Sequence, residues 1–336
     1  MIMENFMNYE NIDCIDCGTE FCPCHLAEAG ECILCSQLQG KCFCDCKNWK
    51  GVCIYQEFKN NNFKAKPGRK IYEVNIKEKV ILHENLLKLV IESPHKLVMD
   101  LIAPGSFIFI RGNVDNEYFD FPISIEEANS NDNTLTLFIE IRGIKTKKIL
   151  KLEVGDILTI RGPYFNGSFG IKNINDTTNS KALVLARGIG IAPAMPVINK
   201  LITSNNSIKV INDIKPFKED YLKDRLSSLN ISVEYLNIIN KGELTDAIKS
   251  LIKEEINSGV ELIHCSGADI LVYRLLEFLE SINKIDIKLS CSNNSKMCCG
   301  EGVCGSCSAR FSSHNIKRLC KVQSDPKNIF EGRRFI

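Results

Sequence analysis

Residues 182–201 read ALVLARGIGIAPAMPVINKL: an apolar run, a turn at Arg187-Gly188-Ile189-Gly190, then a second apolar stretch that includes Pro193. An unbroken apolar run bounded by turn residues suits a strand buried on both faces. A helix tolerates Pro in its first turn. The stretch therefore predicts a strand over Ala182 to Leu185, a tight turn and a helix over Ala194 to Leu201. Glycines at Gly188 and Gly190 let a backbone approach a dinucleotide phosphate at a helix start, where the dipole favours an anion. The same turn also serves as an ordinary strand-to-helix connection. Further strands are expected at Ile208 to Ile211, Ser232 to Leu236 and Glu261 to Cys265, with helical segments between them. That alternation is the pattern of a parallel α/β sheet.

The texture differs upstream. Between Tyr72 and Gly170, short runs rich in Val, Ile, Leu and Phe alternate with turn residues, at Tyr72 to Ile76, Leu86 to Ile91, Ser106 to Arg111, Thr134 to Ile141 and Ile157 to Arg161. This spacing predicts a small antiparallel β-barrel.

The 17 cysteines fall into two groups around a cysteine-free body: ten from Cys14 to Cys53, and seven from Cys265 onward. An odd number in a chain of 336 residues does not describe a disulfide scaffold, so metal or redox chemistry is the better reading. Near the C-terminus, Cys299-x4-Cys304-x2-Cys307, closed by Cys320, has the plant-type spacing for a [2Fe-2S] cluster. Four thiolates converging on two irons leave room only for small residues, which Gly300, Gly302, Gly305 and Ser306 supply. Structural zinc prefers two short pairs and fits the x4 gap poorly. Cys291 and Cys298 are surplus, and Cys298 is expected to pack as a small buried hydrophobe.

The N-terminal group comprises Cys14, Cys17, Cys22, Cys24, Cys32, Cys35, Cys42, Cys44, Cys46 and Cys53, with His25 among them. Ten thiols suffice for two four-ligand sites. One or two [4Fe-4S] clusters and structural zinc both satisfy this pattern. Trp49, the only tryptophan, is expected to pack over the metal.

The 42 basic and 41 acidic residues give a formal charge of +1, which supplies no global field for nucleic acid or an anionic membrane. No apolar run is of membrane length. Residues Met1 to Asp13 lack the blocks of a secretory signal, so a cytoplasmic chain is expected.

Taken in order, Pro104-Gly105-Ser106-Phe107, Pro122-Ile123-Ser124, Gly143 to Thr146, Gly162-Pro163, Gly188 to Pro193 and the cluster motif resemble the ferredoxin-NADP reductase superfamily. The resemblance is nearest to the electron-transfer subunit of NAD-dependent dihydroorotate dehydrogenase, with the reductase subunit of sulfide dehydrogenase also similar, and it covers about four-fifths of the chain. It implies FAD in the barrel, with Phe121, Pro122, Ile123 and Ser124 facing the flavin and Ser124 near its N5. It implies NAD(H) or NADP(H) at Gly188, Gly190 and Pro193. Lys145, Thr146, Gly162 and Gly267 complete the cofactor-binding set. Cys265 matches the family's cysteine beside the nicotinamide, and equally suits a buried thiol at a strand end. Where the family carries Arg before the Pro this chain has Phe121. A second family Arg is Glu140, a Gly-Thr pair is Lys145-Thr146, and a Gly is Arg187.

The expected organisation is multidomain: a Cys-rich module over 1–60, a linker over 61–71, an FAD-binding β-barrel over 72–172, an NAD(P)-binding α/β domain over 180–290, and a [2Fe-2S] segment over 291–336. The expected function is an electron-transfer oxidoreductase passing electrons between NAD(P)H, FAD and the cluster to a catalytic partner flavoprotein or a ferredoxin-like acceptor. A metal-bearing adaptor or redox sensor on the same scaffold is the alternative.

Overall fold

The computed structural model describes residues 13–46, 49–310 and 316–329. The expected absence of a leader rests on residues 1–12, outside that range. So do the ends of the Cys-rich module and of the cluster segment.

A short strand β1 (Asp13–Cys14) is followed by seven that form one antiparallel sheet: β2 (Lys70–His83), β3 (Leu86–Glu92), β4 (Phe107–Gly112), β5 (Phe121–Ser124), β6 (Glu127–Asn129), β7 (Thr134–Glu140) and β8 (Ile157–Tyr164). Their order is β5-β4-β8-β2-β3-β7-β6. The sheet curls because β2 serves two neighbours. Lys70 to Asn75 pair with β8, and Ile76 to His83 pair with β3, with register shifts after Ile76 and Ile81. Such irregularities bend a strand and increase its twist. The curl closes over Leu87, Leu89, Ile91, Ile108, Ile110, Leu137 and Ile160, all without solvent exposure. Each such side chain contributes about 1.5–3 kcal/mol through burial. The polar run Lys77-Glu78-Lys79 hid the second half of β2 from the periodicity.

The next strands are β9 (Ser168–Phe169), β10 (Lys181–Arg187), β11 (Ser207–Asp213), β12 (Ser232–Glu234), the small pair β13 (Ile239–Asn240) and β14 (Glu243–Leu244), β15 (Val260–Ser266) and β16 (Lys288–Ser292). Six form a sheet of order β12-β11-β10-β15-β16-β9, parallel except for β9. The helices Ile191–Thr203 and Asp269–Ser281 cover its faces through two separate apolar cores. The chain thus has the expected class, a curled antiparallel half-barrel followed by a parallel-sheet domain. It continues into β17 (Ser308–Arg310), β18 (Ile316–Arg318) and β19 (Val322–Gln323). No helix among the described residues is long and apolar enough to cross a membrane.

The Cys-rich module returns to the far end of the chain. β1 pairs antiparallel with β19, placing Cys14 opposite Val322. Beside this pairing lies a buried knot of four charges. Arg69 binds Asp16 through both terminal nitrogens, at 2.5 and 2.9 Å, and Glu301 at 2.8 Å. Lys321 binds Asp16 as well, and reaches Glu301 at 2.9 Å. The Arg69 guanidinium also stacks between Phe21 and Tyr164, 4.1 and 4.7 Å from their ring centres. Burial alone would raise the Asp16 carboxyl. The charges of Lys321 and Arg69 outweigh it and hold the group below its usual range. Segment 61–71, expected as a linker, therefore carries a buried structural arginine. Removing one partner of a buried pair costs about 3–5 kcal/mol. An Arg69→Met variant is expected to lose that much, with the Trp49 fluorescence transition moving to lower denaturant; an unmoved midpoint would show the knot to be inert.

Candidate redox site

The loop from Cys298 to Cys307 is held by what it touches. Gly300 has φ 72°, and a Cβ there would lie 2.5 Å from the Tyr164 ring and 2.9 Å from the Phe109 ring. Those rings pack with Phe107 in a buried aromatic group, so the contact cannot yield cheaply. Backbone amides point at sulfur: Glu301 N and Cys304 N toward Cys299 Sγ, at 3.3 and 3.5 Å, and Cys320 N toward Cys307 Sγ at 3.4 Å. The thiols meet in twos. Hydrogen bonding from Cys320 pulls Cys307 down to about 6, and the shared proton pushes Cys320 up. Two thiol pairs with amides aimed at their sulfurs suit a two-iron cluster, each pair serving one iron. Cys298 departs from expectation: it is exposed beside Cys304, because the loop turns outward before Gly300 seats on the aromatic rings.

The strand expected to face a flavin, β5, is half-exposed along its whole length and ends the sheet against β4, Ser124 opposite Phe107. Asp120, just before it, went unnoticed in the sequence. It is a buried hub bound by Arg111 Nη1 at 2.7 Å and by Arg161 Nη2 at 3.2 Å, while Lys145 Nζ donates to its carbonyl at 2.6 Å. The same Arg161 donates to the Cys299 carbonyl at 2.9 Å and stacks on Phe109. One side chain thus ties β5 to the cysteine loop. Sequence gave no signal for this, since Arg161 is an ordinary strand residue until Cys299, 138 positions away, packs beside it.

Glu140, where the family carries a cation, is paired with Arg142 at 2.8 Å. Thr146 caps its own helix, accepting from the amides of Arg142 and Gly143 at 3.0 and 3.3 Å. Gly162 lies in the barrel wall, where a Cβ would press on Ile108 at 2.9 Å, so close packing there requires glycine. A flavin dinucleotide still finds a suitable surface in half-exposed β5 for a ring, with the Lys145 ammonium at its entrance, on the Asp120 carbonyl, as a cation for phosphate.

In the parallel domain, Gly190 sits so close to the end of β15 that a Cβ would lie 2.3 Å from the Ser266 carbonyl oxygen. The turn and the Ser266-Gly267 segment therefore share one edge, with half-buried Pro193 in the first turn of the following helix. Gly188 accepts a hydrogen bond from the Tyr221 hydroxyl at 3.1 Å. Arg187 turns to Asp213 at the end of β11, Nε to Oδ2 3.0 Å, and braces two strand ends. Cys265 lies in the apolar core, 1% exposed, where burial pushes its thiol up. It sits opposite Cys291 on β16. This burial supports the reading of Cys265 as a packed thiol.

The N-terminal thiols line two small adjoining cavities that have Cys17, Leu34 and Ile54 in common. Cys42 borders neither, while Trp49 lines the larger with one edge although 58% exposed. Among the described residues no three His, Cys, Asp or Glu side chains converge on a position for a single ion.

No family model matches the chain. It is 28% identical over 256 residues to the dihydroorotate dehydrogenase B (NAD(+)) electron transfer subunit of Clostridium acetobutylicum, covering 75% of this chain and 91% of that one. The probable counterpart of Methanopyrus kandleri is 28% identical over 210 residues, 61% of this chain and 72% of that one. Among solved structures, that of an NADH-dependent reduced ferredoxin-NADP oxidoreductase superposes with TM-score 0.59 at 21% identity, over 75% of this chain and 86% of that one. A ferredoxin NADP+ reductase from Neisseria gonorrhoeae, with bound FAD and NADP, gives TM-score 0.51 at 17% identity, over 67% and 98%.

A Gly300→Ala variant is expected to keep its flavin and lose most of its two-iron cluster, read as iron and sulfide per chain; undiminished iron would mean that the loop does not seat as described. The chain has the ferredoxin-NADP reductase fold and resembles the electron-transfer subunits of NAD-dependent dihydroorotate dehydrogenase.

Proposed function

We propose that this chain is an electron-transfer oxidoreductase that takes electrons from NAD(P)H and delivers them singly, by way of FAD and a [2Fe-2S] cluster, to a catalytic partner flavoprotein or a ferredoxin-like acceptor. Flavin and cluster together supply the conversion of a two-electron donor into one-electron steps. The chain's own residues bind and orient. Phe121 to Ser124 offer a half-open edge to the ring, with the Ser124 hydroxyl as its hydrogen-bonding group. Lys145 would meet a phosphate in place of the family's arginines. The turn at Gly188 and Gly190 packs its backbone against Ser266 and Gly267, and the nicotinamide would bind along that shared edge. Cys299, Cys304, Cys307 and Cys320 hold the two irons. The buried thiol of Cys265 supports the fold of that corner.

The observation that carries this reading is Arg161, which links the entrance of β5 to the Cys299 carbonyl. It supports a short path between the two centres and fixes their relation. In Arg161→Ala, flavin reduction by NADH should keep its rate, whereas cluster reduction slows about tenfold or more. Anaerobic stopped-flow absorbance separates the two phases, and iron analysis confirms that the variant retains its cluster. Equal rates for variant and native protein would remove Arg161 from the path, and a native chain purified without flavin would favour the adaptor reading.

A further inference from the structure

The thiols of the Cys-rich module are sorted by the cavities they line. Five border the smaller cavity and five the larger, with Cys17 common to both. That leaves four thiols exclusive to each: Cys14, Cys22, Cys24 and Cys32 around one, and Cys35, Cys44, Cys46 and Cys53 around the other. Leu34 and Ile54 line both cavities, so the two share a wall.

Among the described residues, the buried apolar side chains of the module besides Cys17 are Leu26, Ala27, Leu38 and Phe58, a small core for such a segment, which bound metal would supplement. A single metal ion draws four ligands to about 2.3 Å around one point. These thiols instead ring a space between apolar walls, with four for each space, the ligand complement of a [4Fe-4S] cluster.

The smaller cavity adjoins the C-terminal cysteines. Cys14 pairs with Val322, two residues beyond Cys320, and the Ile15 amide donates to the Lys321 carbonyl at 2.9 Å. Cys320 lies in the turn that leads into this pairing. Leu26, on the wall of the same cavity, touches the cluster loop, since a Cβ on Gly302 would lie 3.0 Å from its Cδ1. The larger cavity lies outward, with Cys44, Cys46 and Cys53 exposed.

We propose that Cys14, Cys22, Cys24 and Cys32 hold an inner [4Fe-4S] cluster, that Cys35, Cys44, Cys46 and Cys53 hold an outer one, and that both continue the line from the C-terminal [2Fe-2S] site toward the surface. Each step moves one electron: the donor centre is oxidised by one, the acceptor reduced by one, and no bond is made or broken. The reductant is the pyridine nucleotide and the final oxidant a one-electron acceptor protein. Only the source of electrons rests on the function proposed above; the two sites do not.

The test is iron, sulfide, zinc and flavin analysis of the full chain purified anaerobically. The expected content is about ten irons per chain, one two-iron and two four-iron clusters. Cys24→Ser with Cys32→Ser should lose about four irons, Cys44→Ser with Cys53→Ser the other four, each keeping flavin and the two-iron signal. Cys17→Ala and Cys42→Ala should keep all ten. The Mössbauer spectrum of the unaltered protein decides the matter even if a variant fails to accumulate, because cubane and two-iron centres are resolved in it. Zinc in the module, iron limited to the two-iron cluster, or loss of four irons in Cys17→Ala or Cys42→Ala would overturn the assignment. Zinc together with intact flavin and NADH-driven reduction of the two-iron cluster would overturn it while leaving the proposed function standing. Ten irons without flavin would do the reverse.

Discussion

Four charges buried together hold the two ends of this chain in place. Asp16 belongs to the Cys-rich module, Arg69 to the segment entering the barrel, Glu301 to the cysteine loop, and Lys321 to the residue after Cys320. An ion taken out of water costs several kcal/mol, so each is tolerable only because the others are present. Two acids and two bases balance, and aromatic faces of Phe21 and Tyr164 flank the arginine. This arrangement fixes where the cysteine loop sits on the barrel and where the N-terminal thiols sit relative to that loop. Apolar packing would stabilise the contact as well but would specify its geometry less narrowly.

Much of the framework was legible in the sequence because it depends on local pattern. The run from Ala182 to Leu185 read as a strand followed by a glycine turn, and the structure adds that Gly190 closely approaches Ser266 there. The spacing of Cys299, Cys304 and Cys307 carried its chemistry on its face. What remained hidden depends on contacts between distant positions. Asp120, Arg161 and Tyr164 look like ordinary barrel residues, and nothing in the sequence joins Arg69 to Glu301, 232 positions away. The same limit explains Cys298, whose neighbours suggested burial until the loop was seen to turn outward.

The altered phosphate contacts acquire a physical account as well. Phe121 is half-buried against the barrel core, and Glu140 is neutralised by Arg142. Arg187 braces Asp213 rather than projecting toward a ligand. Arg111 and Arg161 secure Asp120, and Arg161 also binds the Cys299 carbonyl at the junction of barrel and cysteine loop.

The central claim is that a flavin in the barrel and a cluster on the cysteine loop are coupled across this junction. Freeze-quenched electron paramagnetic resonance of the anaerobic protein, mixed with NADH alone, tests it most directly. The account predicts a reduced two-iron signal that grows in after the flavin bands bleach. A cluster that stays oxidised under NADH, yet is reduced by dithionite, would contradict it.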